Sequence, residues 1–263
     1  MKYKSVSGPI QLILPMAGSG SRFKKSGYKD TKLLIPIHGI PMFKVVLGNL
    51  ITEKVQKVVI ITQLKLNLKS EIDKLKKFGG IEFEIIEIDY ITEGPASSVK
   101  LAKPFIDLDL PVVIANSDQY LKINMNNFYH NLIDSIDSGL ILTMRDTDPK
   151  WSFVRLNDNG YVSEIREKEV ISNIATVGIY GFKKGHFLFE SIEKMIKDKN
   201  KVNNEYYVAP LFNYLVKDGH KVSTYYTGPV NDVMFGLGIP EDYENFLKNP
   251  ISNEAALNAE FIN

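Results

Sequence analysis

An α/β sandwich is the fold class this sequence predicts, on three observations. Short apolar runs of strand length recur through the first half, segments of helical spacing separate them, and after about residue 150 the rhythm changes to hairpin-like pieces. Strands that alternate with helices wind into a sheet whose two faces the helices cover. The expected architecture is therefore a Rossmann-like three-layer sandwich with a mixed, mostly parallel sheet and a smaller β-rich portion.

The runs 11–14, 57–62, 82–88, 111–115 and 140–144 are rich in Ile, Val and Leu and predict strands buried on both faces. Between them, 41–51, 67–78, 96–105 and 126–136 place apolar residues three and four apart, which predicts helices. In the second half, 151–156 and 161–165 flank Asn157, Asp158, Asn159 and Gly160, residues that tolerate positive φ, so a β-hairpin is expected. A strand over 175–182, helices over 187–196 and 205–217 and a late strand over 221–225 follow. The tail after Pro250 reads either as a short helix or as disorder. The whole is expected to be one domain over 1–263: a half spanning about 10–145, a second spanning about 146–248, and a tail over 249–263.

Composition narrows the function classes. Thirty-two basic residues face 31 acidic ones, for a net charge of +1, so no global field attracts nucleic acid or an anionic membrane. The absence of cysteine removes disulfides, thiolate catalysis and thiolate metal sites. No apolar run approaches the length of a membrane span and residues 1–9 lack the apolar core of a signal peptide, so a cytoplasmic protein is expected. The four histidines, His38, His130, His186 and His220, show no metal spacing.

The most informative stretch follows the first strand: Leu14, Pro15, Met16, Ala17, Gly18, Ser19, Gly20, Ser21, Arg22, Phe23. Small residues let backbone N–H groups approach anionic oxygens, and a concave turn of them makes an anion nest to which Arg22 adds a planar fork of donors. Two common phosphate loops do not fit. A dinucleotide fingerprint needs glycine where Phe23 stands, and a Walker loop needs Gly-Lys-Ser/Thr where the chain has Gly20, Ser21, Arg22.

This loop, followed by Lys32-Leu33-Leu34-Ile35-Pro36-Ile37-His38-Gly39-Ile40-Pro41-Met42, resembles the signature of the sugar-1-phosphate nucleotidyltransferase family, over about residues 11–247. The resemblance implies a nucleotidyl transfer from a nucleoside triphosphate, pyrimidine favoured, to a sugar 1-phosphate, with release of pyrophosphate and supply of surface-polysaccharide precursors. It assigns phosphate contacts to Ala17, Gly18, Ser19, Gly20 and Ser21 and catalytic charge to Arg22 and Lys32. Thr31 departs from the proline usual before that lysine. Gln63, and Gly94, Ala96 and Ser97 of the turn 93–99, are the remaining nucleotide contacts it implies.

Asp118 ends the strand 111–115 in a polar cluster, Asn116-Ser117-Asp118, at the edge where open α/β sheets bind ligands. By resemblance it holds Mg²⁺. The second metal aspartate of the family falls two residues before Gly238, at Gly236, so Asp232 is the expected substitute. On the acceptor side the resemblance implies Glu167 and Lys168, Gly178 as a glycine that leaves room for the sugar, and Glu205 near a helix start that Asn204 could cap. Trp151 is expected to pack. Two other readings stay open: cytidylyl transfer to an amino-alcohol or amino-acid phosphate, and a non-catalytic nucleotide-sugar-binding regulator. A homo-oligomer is the default expectation for assembly.

Overall fold

The computed structural model describes residues 8–18, 20–66, 68–75 and 80–260. The chain begins with β1 (Ile10–Met16), α1 (Ser21–Lys25), a small hairpin of β2 (Pro36–Ile37) and β3 (Ile40–Pro41), α2 (Met42–Leu50), β4 (Val55–Gln63) and α3 (Lys69–Leu75). It continues through β5 (Glu82–Ile88), α4 (Pro95–Lys100), β6 (Val112–Ala115), β7 (Gln119–Leu121), α5 (Met125–Asp134) and β8 (Gly139–Arg145). The second half adds β9 (Ser152–Leu156), β10 (Val162–Glu167), β11 (Ile174–Phe182), α6 (Gly185–Lys197) and α7 (Phe212–Lys217). It closes with β12 (Val222–Pro229), α8 (Val230–Val233), β13 (Met234–Gly236), α9 (Pro240–Lys248) and α10 (Ile251–Ala259).

The central sheet is mixed and mostly parallel, as the sequence predicts. β5, β4, β1 and β6 lie side by side and parallel. β11 follows as an antiparallel strand between β6 and β8, and β12 lies parallel to β8 on its far side. The β9–β10 hairpin leans on β11, and its turn is closed by the Asn157 side chain, which accepts from the backbone N–H groups of Asn159 and Tyr161.

Each apolar run feeds both faces of the sheet. Leu12 and Leu14 of β1, Val58 and Ile60 of β4 and Val113 of β6 enter one core with α2, α5 and α9; Ile13, Val59, Ile61, Val112 and Ile114 enter the other with α4, α6 and α7. Alternate side chains of a strand point to opposite faces, so continuous apolarity is what a sheet covered on both sides requires.

The helices expected over 96–105 and 205–217 depart from the observed structure, while the helix over 67–78 is met within its described residues and the tail takes the helical one of its two readings. The helix over 67–78 is observed as α3, with Asn67 and residues 76–79 outside the described residues. The helix over 96–105 stops at Lys100, and Lys103–Phe105 forms a 3-10 turn around Pro104, whose missing N–H cannot continue a helix. The helix over 205–217 starts late. Asn203 and Asn204 adopt left-handed φ values of 48° and 63°, a Val202–Glu205 bridge tightens the turn, and helical structure begins only at the 3-10 turn Ala209–Leu211 before α7. Asn204 is therefore not a helix cap. The 205–206 backbone bonds to the turn before α4 instead, with Tyr206 N–H donating to Glu93 O at 2.7 Å and Ala96 N–H donating to Tyr206 O at 2.9 Å. Finally, the tail is helical: α10 packs on α2, burying Ile251, Ala255, Ala256 and Ala259. Among the described residues, no helix is long and apolar enough to cross a membrane.

Candidate active site

The carboxyl ends of β1 and β6 open into two adjoining cavities. The first, about 410 Å³, is lined by Pro15, Met16, Gly18, Gly20, Ser21 and Arg22 of the loop after β1, by Thr31 and Lys32, and by Asn116, Ser117 and Asp118 after β6. Leu66 and Pro95 form its apolar wall. The second, about 630 Å³, is lined by Trp151, Ser152, Glu167, Lys168, Thr176, Gly178, Tyr180, Tyr207 and Asp242, among others. Arg22, Pro95, Asn116, Asp118 and Gly238 face both.

The loop owes its shape to glycine. Gly20 takes a left-handed φ of 60° as the residue before α1, and a Cβ there would lie 3.2 Å from Lys32 Cβ. Gly18 has no atom within 4 Å of where its Cβ would be, so its small size leaves open cavity. Ser19 lies outside the described residues. Ala17, packed at the edge of one core, does not line either cavity. Arg22, at the start of α1, is exposed and free of any ion pair among the described residues. Lys32 differs: its Nζ lies 2.8 Å from Asp118 Oδ2, with the lysine side chain 15% and the aspartate 41% exposed. The Thr31 hydroxyl next to it is buried with no hydrogen-bond partner among the described residues. Such a donor needs a ligand or water oxygen to satisfy it.

Asp118 is fixed from both sides. Its carbonyl accepts from Leu237 N–H at 2.8 Å, and Gly238 leaves space for its carboxylate, since a Cβ there would lie 3.1 Å from Oδ2. Asn116 is held by its N–H on Gly178 O at 3.0 Å. Gly178 has a φ of 76° and would place a Cβ 2.2 Å from Asn116 Nδ2. The position a Cβ at 178 would take is thus occupied by the Asn116 side chain, and Gly178 lines the second cavity beside it.

In the second cavity Lys168 adopts a left-handed φ of 58°, donates from Nζ to the Tyr207 hydroxyl at 2.7 Å and sits 4.7 Å above that ring. Glu167 accepts a hydrogen bond from Ser152. Burial pushes its carboxyl pKa up, against the lowering effects of Ser152 and Lys168, and the nearby Glu205 charge adds to the rise. Burial, then a hydrogen bond to Glu205, raises the Tyr207 hydroxyl as well. Glu205 itself is exposed and outside the cavity lining. Trp151 packs on the core, donates to Asp146 Oδ2 at 2.6 Å and also lines this cavity.

The remaining sequence candidates stand further out. Gln63 is buried, lines neither cavity and donates from Nε2 to Tyr90 O at 3.1 Å. Gly94 has a φ of 115° and would place a Cβ 2.7 Å from the Tyr206 backbone, so its glycine serves chain packing; Ala96 is buried, and neither they nor Ser97 line a cavity, whereas Pro95 between them does. Asp232 is exposed on α8 and lines neither cavity. Besides Asp118 and Glu167, the second cavity is lined by Asp242, in the first turn of α9, which sequence reasoning missed. Among the described residues, no group of three or more His, Cys, Asp and Glu could hold a metal ion.

Residues 11–226 match the family described as Nucleotidyl transferase. No curated protein matches the sequence. Among solved structures, the chain is similar to a nucleoside-diphosphate-sugar pyrophosphorylase from Vibrio cholerae RC9, with a TM-score of 0.76 and 23% identity, covering 91% of this chain and 100% of that one. It is similar to an inositol-1-phosphate CTP transferase from T. maritima, with a TM-score of 0.70 and 15% identity over 96% of each chain. HddC from Yersinia pseudotuberculosis gives a TM-score of 0.64 and 18% identity over 90% of this chain and 98% of that one.

Proposed function

The chain belongs to the nucleotidyl transferase family, and on that premise we propose that it joins a nucleoside triphosphate to a sugar 1-phosphate. Pyrophosphate leaves, and the product is a nucleotide-diphospho-sugar of the kind used to build surface polysaccharides. The observation that carries this reading is the shared wall: Arg22, Asn116 and Asp118 face a cavity built on the glycine loop and a second one built on β10 and β11. Reaction between two bound phosphates needs such a junction. The nucleotide in this reading is a pyrimidine triphosphate. Residues about 10–145 then supply the nucleotide side and 146–248 the acceptor side.

In this reading an acceptor phosphate oxygen attacks the α-phosphorus, and the bond from that phosphorus to the oxygen of the leaving pyrophosphate breaks. The nucleophile is already anionic, so no general base is required. The obstacles are charge repulsion and alignment. Arg22, whose side chain has no ion pair among the described residues, offers a bidentate fork to the triphosphate, and the N–H groups around Gly18, Gly20 and Ser21 cradle it. Lys32, released from Asp118, counters charge as it builds, and Lys168 aligns the acceptor phosphate. Glu167, Tyr180 and Tyr207 address the rest of the acceptor.

Mg²⁺ fits the donors present. Asp118, whose carboxylate stands at the junction of the two cavities, would hold the ion together with substrate phosphates and water. Bound there, it supplies neutralisation of the phosphate charge.

One observation favours a second reading, cytidylyl transfer to an amino-alcohol or amino-acid phosphate. Trp151, Tyr180 and Tyr207 line the second cavity beside Glu167, a wall that suits an ammonium group as well as hydroxyls. Pyrophosphate release, measured with Mg²⁺, each of CTP, UTP, dTTP, GTP and ATP, and pools of sugar 1-phosphates or amino-alcohol and amino-acid phosphates, decides between them. Release is expected with a pyrimidine triphosphate and the sugar pool, and Arg22→Ala should lower it by about a hundredfold or more while Arg155→Ala, at a surface ion pair with Glu164, leaves it unchanged. No release with any pair, or equal effects of the two arginines, would sink the assignment.

A further inference from the structure

Gly236 ends β13 in a backbone conformation outside the left-handed region, so the chain does not require glycine there. What stands where its Cβ would be is a neighbouring side chain. A Cβ at Gly236 would lie 2.8 Å from Oδ2 of Asp242 and 3.3 Å from its Cγ. A carboxylate carried by such a Cβ would put its own oxygens about 2.4 Å away, from ordinary bond lengths. Asp242 therefore delivers a carboxylate oxygen from α9 to the place an aspartate at 236 would reach.

Asp118 lines the same cavity, and Gly238, two residues on from Gly236, stands beside its carboxylate, with a Cβ there 3.1 Å from Oδ2. Both carboxylates face the second cavity, and that of Asp242 has no hydrogen-bond or ion-pair partner among the described residues. A carboxylate in the first turn of a helix is favoured by the helix dipole, which accounts for an acidic residue at 242 but not for the glycine opposite it. We infer that Asp242 supplies the second protein carboxylate for the Mg²⁺–triphosphate group, the role for which Asp232 stands too far out. The inference rests on the nucleotidyl-transfer reading.

Mn²⁺ titration followed by electron paramagnetic resonance tests it, on the full-length protein with the triphosphate that supports pyrophosphate release and no acceptor. Asp118→Asn and Asp242→Asn are each expected to weaken Mn²⁺ binding by about tenfold or more. The exchange Gly236→Asp with Asp242→Ser, which removes the clash, should restore it to within about threefold of wild type. If Asp118→Asn weakens Mn²⁺ while Asp242→Asn, folded by circular dichroism, binds it like wild type, the Asp242 inference falls and the nucleotidyl-transfer reading stands. If neither changes Mn²⁺ binding, the metal–phosphate reading of Asp118 falls with it. Should the exchange variant fail to fold, Asp242→Asn alone decides.

Discussion

Beside Tyr180, the Glu167 carboxyl is shielded from water and takes a hydrogen bond from Ser152. Its pKa is raised by burial, so the folded protein keeps this proton to a higher pH than the unfolded chain does. Stability contributed by such a group is greatest below the unfolded pKa, near 4, and falls as pH rises through the folded pKa. Glu167→Gln keeps the acceptor for Ser152 and removes the titration. Its melting temperature relative to wild type should therefore climb between pH 4 and pH 7; an offset that is the same at both would show that Glu167 does not titrate abnormally. At this scale the sequence pointed to Arg22, Lys32, Asp118 and Lys168, which line the two cavities, because each sits in a short local pattern. Asp242 was hidden, because its meaning depends on Gly236, and the two are related by a space rather than by a motif.

The turn entering α4 shows how an element becomes a joint. Gly94 has φ 115° and ψ 174°, and the segment it belongs to exchanges backbone hydrogen bonds with Tyr206. Only glycine adopts this conformation without strain, and a Cβ would meet the Tyr206 N and O at 2.7 Å. Gly94→Ala should cost about 2–4 kcal/mol and lower the melting temperature by several degrees. Gly18→Ala, with ordinary φ and open space around it, should melt like wild type; similar losses in both would mean that the joint at Tyr206 carries no special weight. The same joint explains what the helical spacing over 205–217 concealed: apolar periodicity was real from Ala209 onward, but the 205–206 backbone was committed to a distant turn. Strands 10–16, 55–63 and 112–115 were legible because burial on both faces writes continuous apolarity, whereas β7 and β13 are three-residue partners from segments more than a hundred residues apart and carry no local pattern.

Across the whole molecule the tail acts as a clamp on the first half. α10 lies on α2, where a Cβ on Gly48 would come 3.0 Å from Ala259 Cα, and His38 Nε2 meets Ser252 Oγ at 2.7 Å. Ile251 and three alanines are buried in this contact, and Leu47 and Leu50 share the core beneath. Ending the chain at Pro250 should cost more than about 3 kcal/mol, from the apolar surface returned to water, and show as a melting temperature lower by about 5 °C or more. A truncated protein that melts with the full chain would make α10 peripheral. The shared wall of the two cavities has an effect on traffic. Any molecule that fills both rooms along Arg22, Pro95, Asn116 and Asp118 bars the next triphosphate and the next acceptor alike. Under the proposed reaction, a build-up of finished product would hold the doorway shut, and the rate at which it is carried away downstream would set the pace of supply.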